Sequence, residues 1–126
     1  MKEGEFMDEE KLKERNALVK KEYNRLNRIF KDIPKEKKNV VTGLITQAAR
    51  LKILLDEMWI DITENGDYEL FTQSEKMPEY ERERPVAKLY NARDSSYHRV
   101  IRQLADLLPE EKQDGAKAAA DGSDLL

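Results

Sequence analysis

The chain has 126 residues, its charged and hydrophobic shares are each 39%, and it contains no cysteine. That length holds one domain at most. So thin an apolar supply suits long solvent-lapped helices or a core shared between subunits, and the lack of cysteine excludes disulfides, thiolate zinc sites and cysteine nucleophiles.

The formal net charge of −3 conceals strong segregation. Residues 11–52 carry thirteen Lys or Arg against four acids, whereas residues 53–81 carry nine acids against one Lys. Residues 82–105 are basic again, and both chain ends are acidic. Blocks of this size favour contact with a polyanion at one region and with basic surfaces at another. The first ten residues are acidic and hold no apolar run, so no secretory signal is expected. The longest apolar segment is broken by Lys52, Asp56 and Glu57, so no membrane span is expected.

Residues 1–7 read as a frayed start. From Asp8, a suitable N-cap, Leu12, Asn16, Val19, Tyr23, Leu26, Phe30 and Ile33 recur at alternating steps of four and three. That spacing predicts a helix with one apolar stripe, in which the polar Asn16 can fix register against a partner helix. Pro34 ends it, since its ring disfavours helical geometry at the preceding residue.

A second helix is predicted from Pro34 or Lys38 to Asn65, closing a hairpin over residues 8–66. Its stripe is Val41, Leu44, Ala48, Leu51, Leu55, Met58 and Ile62, widened by Ile45, Ala49 and Trp59. A helix this apolar must be covered by neighbours, and the flanking stripes look too short to do so. The interface of an oligomer is therefore expected at Leu44, Leu51, Leu55, Met58 and Trp59. Gly43 lies inside this helix at a cost of roughly 1 kcal/mol relative to Ala, which marks a close approach or a bend. Gly66 supplies the stop.

Residues 67–84 are the least regular; alternation at Tyr68, Leu70 and Thr72 admits a short β-hairpin. Pro85 opens a third, C-terminal helix over residues 85–109, with Val86, Tyr90, Tyr97, Val100, Ile101, Leu104, Leu107 and Leu108 on its apolar face. Residues 110–126 are small, polar and acidic, and are expected to be a disordered tail. The fold class expected is thus all-α: a long helical hairpin plus a third helix, assembled into an oligomeric ring.

Little in the chain can carry catalysis. The single histidine, His98, has no acid or nucleophile at a spacing that demands one. Glu57, Asp61 and Glu64 share a helical face at i, i+4 and i+7, which reads as a solvated acidic face rather than a cation site. A di-iron bundle needs Glu-x-x-His pairs, which are missing, and no phosphate-binding Gly-x-x-x-x-Gly-Lys-Ser/Thr loop occurs. No enzyme, cofactor, metal or small-molecule substrate is expected, and nothing in the sequence supports nucleotide binding. The basic block is more informative. Lys20, Lys21, Arg25, Arg28, Lys31, Lys35, Lys37 and Lys38 crowd the end of the first helix and the turn after it. Such a surplus attracts a phosphate backbone by counterion release, without base readout; on one copy of the chain a merely soluble surface accounts for it as well as a DNA site does, and a ring that repeats the patch favours DNA.

The segment from Leu44 to Pro109 resembles small terminase subunits of tailed bacteriophages. The residues that carry the resemblance are AARLKILLDEMWIDITENGDYELF, then Tyr80-x-Arg82-x-Arg84-Pro85, and Tyr90 and Tyr97 leading into LADLLP. It covers about half of the chain and consists of ordered features, with no catalytic fingerprint among them. It implies a non-enzymatic protein that assembles into helical rings, recognises double-stranded viral DNA, and delivers it to the large terminase subunit in the cytoplasm of the infected host. Many members begin with a compact helix-turn-helix reader. Here one helix of about twenty-five residues stands in its place, so the resemblance does not carry over a mode of DNA contact. The rival expectation is a helical coiled-coil scaffold that binds no DNA.

Overall fold

A computed structural model describes residues 8–121. The expected frayed start at 1–7 and the end of the expected tail at 122–126 lie outside the described residues. The described part is mostly helical with one small antiparallel sheet. Its elements are α1 (Glu9–Ile29), α2 (Lys38–Asn65), β1 (Tyr68–Phe71), β2 (Tyr80–Glu83), α3 (Pro85–Asp106) and α4 (Glu110–Asp121), with a single 3-10 turn at Lys35–Lys37 before α2.

Asp8 caps α1 by accepting a hydrogen bond from the Lys11 N–H at 2.8 Å. The helix stops at Ile29, a turn before Pro34, and Phe30 and Ile33 fold inward from the connection. The chain reverses there, and α2 runs back along α1. At 28 residues, α2 is about 42 Å long and spans the molecule. Gly66, at φ 82°, ends it in the left-handed region that glycine alone adopts cheaply.

Residues 67–84, which the sequence leaves open between loop and hairpin, form an antiparallel hairpin. Tyr68 pairs with Glu83, Glu69 with Arg82, Leu70 with Glu81 and Phe71 with Tyr80. Cross-strand pairs hold this otherwise thin ribbon. Arg82 bonds Glu69 at 2.7 Å and lies 3.6 Å above the Phe71 ring, while Phe71 meets Tyr80 edge-on. Arg84 ties the ribbon to α2 through Gly66 O at 2.7 Å and Asp61 Oδ1 at 3.0 Å. The Arg82 and Arg84 of the Tyr80–Pro85 motif are therefore engaged within the chain.

Pro85 occupies the first turn of α3, which returns antiparallel along α2. Leu26, Phe30, Val41, Ile45, Ala48, Ala49, Leu55, Tyr97, Val100, Ile101, Leu104 and Leu108 form one buried cluster among α1, α2 and α3. Two expectations need correction here. Through Asp121, the segment expected to be a disordered tail is the helix α4, and its Ala116 and Ala120 are buried in the same cluster. Methyl groups at i and i+4 give too small a stripe to register as an apolar face, yet they let α4 approach closely. Leu55 and Met58, expected at an oligomer interface, are buried inside the single chain.

The N-terminal third of α1 behaves differently from the rest of its stripe. Leu12 is 46% exposed and Asn16 is exposed, so the stripe is covered only from Val19 onward. An ion pair between Arg15 and Glu57 holds this part of α1 against α2.

Candidate nucleic-acid interface

The turn between α1 and α2 gathers most of the basic block at one end of the bundle. Along α1 and its C-cap the buried side is Glu22, Leu26 and Phe30, which leaves Lys20, Lys21 and Arg28 exposed on the helix and Lys31 exposed just past it. Lys35, Lys37 and Lys38 are exposed across the turn. None of these seven takes part in an ion pair among the described residues. Lys31, Lys35 and Lys38 line a groove of about 340 Å³ whose apolar wall is Phe30, Ile33, Pro34 and Val41. The N-terminus of α2 starts there without a side-chain cap, the preceding 3-10 turn taking the Lys37 and Lys38 N–H groups onto Pro34 O and Lys35 O, and the positive end of the helix dipole lies at the same place.

Arg25 does not belong to this surface, contrary to the sequence expectation. Its guanidinium grips Glu22 in a bidentate pair, at 2.8 and 2.7 Å, and donates to Ala119 O at 2.9 Å and Ala120 O at 3.1 Å. Arg25 thus satisfies the carbonyl end of α4, where a cation also complements the helix dipole. The buried Glu22 is charge-balanced by the same contact. Sequence reasoning missed this because it had no α4 for Arg25 to cap.

Two acids lie among these cations: Glu36 is exposed between Lys35 and Lys37, and Asp32 is engaged by Lys112 of α4 at 2.8 Å. The Lys112 hydrogen bond holds the Asp32 carboxyl below the usual carboxylate range and pushes the Lys112 ammonium up. One acid is thereby withdrawn from the lysines of the turn.

The opposite end of the bundle is acidic and carries most of the exposed apolar side chains. Trp59 is 57% exposed and meets Tyr90 at a tilt, with centroids 5.8 Å and ring planes 44° apart. Ile60, Tyr68, Leu70, Met77, Tyr80 and Leu89 are also exposed. Of the expected interface residues, Leu44 and Leu51 are half-buried against the chain's own core, and Trp59 alone is open.

The carboxylates of α2 are divided among separate partners. Glu57 pairs with Arg15, Asp61 with Arg84 and Asn65, and Glu64 is exposed. Hydrogen bonds from Asn65 and Arg84 hold the Asp61 carboxyl below its usual range. No group of three His, Asp or Glu placed to hold a metal ion occurs among the described residues. His98 lies 3.5 Å from Asp94 on the exposed side of α3. No helix among the described residues is long and apolar enough to cross a membrane.

No protein-family model matches the chain, and neither the curated proteins nor the solved structures give a match.

Proposed function

We propose that this chain is a non-enzymatic DNA-packaging adaptor. It binds double-stranded viral DNA through the basic end of its bundle, self-associates, and presents the DNA to the large terminase subunit in the host cytoplasm. The observation that carries this reading is a set of exposed cations with no ion pair among the described residues: Lys20 and Lys21 midway along α1, then Arg28, Lys31, Lys35, Lys37 and Lys38 at the α1–α2 turn. Such a set suits a phosphate backbone, which asks for charge and reach and not for a fixed recognition geometry. The resemblance over Leu44–Pro109 supplies the biological setting. Self-association is supported by the exposed Trp59, Ile60 and Leu89 at the acidic end. The test is retention of duplex DNA by the purified chain in a gel. The wild-type chain retards DNA at low salt, and the triple variant Lys35→Glu, Lys37→Glu, Lys38→Glu does not.

A second reading is favoured by those same exposed apolar residues at the acidic end. They fit a helical scaffold whose partners are proteins. On that reading the chain associates through Trp59 and its neighbours, fails to retard DNA, and is indifferent to charge reversal at the turn.

A further inference from the structure

On the outer side of α2, away from α4, a groove of about 610 Å³ runs between α2 and α3. That is within the size range of small-molecule sites. Its cations are Arg50 from α2 and Arg93 from α3. Neither makes a hydrogen bond or an ion pair with any described residue, and no acid lines the groove. Gln47 sits one turn before Arg50, and its amide has no partner among the described residues. Thr46 and Ser96 spend their hydroxyl protons on Thr42 O and Ala92 O within their own helices. The donors left for a ligand are therefore the two guanidiniums and the Gln47 amide. Half-buried Leu51 and Leu54 provide the apolar lining.

Gly43, at one end of this groove, is otherwise unexplained. Its φ is not positive, and a Cβ added there would meet nothing within 4 Å. Neither backbone conformation nor close packing requires glycine in the second turn of α2, where it weakens the helix. What it does leave is open space at the groove's end.

We propose that the α2–α3 groove binds a phosphomonoester carried on an apolar body, with Arg50 and Arg93 gripping the phosphate and Leu51 and Leu54 lying against the body. Planar guanidiniums offer paired N–H donors that match phosphate oxygens, and two of them from different helices fix the anion from two sides. Gly43 keeps the groove long enough for the ligand body. This site is separate from the lysines of the α1–α2 turn.

The test is a residue-resolved NMR titration of the 15N-labelled full chain with three probes: adenosine monophosphate, inorganic phosphate and adenosine. Adenosine monophosphate should shift the amides of Gly43, Gln47, Leu51 and Arg93 along one saturable curve. Inorganic phosphate should shift a subset of these more weakly, and adenosine should shift none. Arg50→Gln and Arg93→Gln should each weaken adenosine monophosphate roughly tenfold or more, the loss expected for one charge-assisted contact. Gly43→Phe, which points its ring into the open groove, should abolish binding while the helical circular dichroism stays unchanged. The lysine triple variant at the turn should bind adenosine monophosphate normally, which separates this site from the DNA surface. Shifts spread evenly over Lys20, Lys35 and Arg102, equal shifts with adenosine, or undiminished binding by both Gln variants would overturn the proposal.

Discussion

Gly43→Ala should stabilise the protein, and the size of the gain can be worked from its surroundings. The residue is the sixth of α2, past the first turn of a helix that runs Lys38–Asn65. Its backbone is not in the left-handed region, so alanine adopts it without strain. An added methyl meets nothing within 4 Å, so it neither clashes nor gains contacts. What remains is the helix-propensity difference, about 0.8–1.0 kcal/mol in favour of alanine. For a chain of this size that corresponds to a rise in Tm of about 3–5 °C. Urea unfolding followed by circular dichroism should show a higher midpoint with an unchanged slope. A lower midpoint would refute the reasoning. It would mean that another surface closes over Gly43, as a neighbouring subunit packed on the outer side of α2 would do. Repeating the melt at several protein concentrations identifies that case, because stability then depends on concentration.

Other outcomes follow from the same packing. The Tyr97 hydroxyl is buried without a partner among the described residues, so Tyr97→Phe should be neutral or stabilise by about 1 kcal/mol in urea titrations. Burial, with Glu22 the next contributor, pushes the Tyr97 pKa up to about 12. The folded state therefore holds a proton that the unfolded chain releases from about pH 10. Stability should be unaffected below that pH and fall by roughly 2–3 kcal/mol as pH approaches 12, a loss that Tyr97→Phe lacks. Asp32 and Asp61 are both held below the usual carboxylate range. Their stabilisation is present above about pH 4 and lost as pH falls further, and Lys112→Gln should flatten the part due to Asp32 in acid melts. Ending the chain after Pro109 removes the Ala116 and Ala120 methyls and re-exposes the surface beneath them. At about 0.8 kcal/mol per buried methyl on each side of the contact, the loss is roughly 3 kcal/mol in urea unfolding.

The helices with wide stripes were legible from sequence because large side chains at steps of three and four fit one geometry only. The α2 stripe, the α3 stripe, the Gly66 stop and the Pro85 start all stand where periodicity placed them. What escaped was the element held by small residues. The run from Ala116 to Ala120 has high helix propensity, and Glu110 and Glu111 suit a first turn, so a signal was present; its acidic, low-volume composition imitates a solvated tail. Without α4, the α2 stripe is under-covered, which sends Leu55 and Met58 to other subunits and makes Arg25 one more surface cation. The turn lysines were easier to place, because a charged side chain opposite an apolar stripe has no alternative to solvent. The pairing of Arg15 with Glu57 and of Arg84 with Asp61 was not legible, since 42 and 23 residues separate the partners and periodicity carries no such information.

The central claim is that the cations of the α1–α2 turn contact a duplex phosphate backbone. Fluorescence anisotropy of a labelled 20-base-pair duplex, titrated at several salt concentrations, measures it most directly. Binding should weaken linearly in log–log form, with a slope near −0.9 for each phosphate contacted. Converting Lys35, Lys37 and Lys38 to glutamine should make that slope shallower by about 2–3, whereas Arg25→Gln should leave it unchanged and lower thermal stability instead. A slope that is the same in wild type and the triple glutamine variant, or no binding at low salt, would contradict the account.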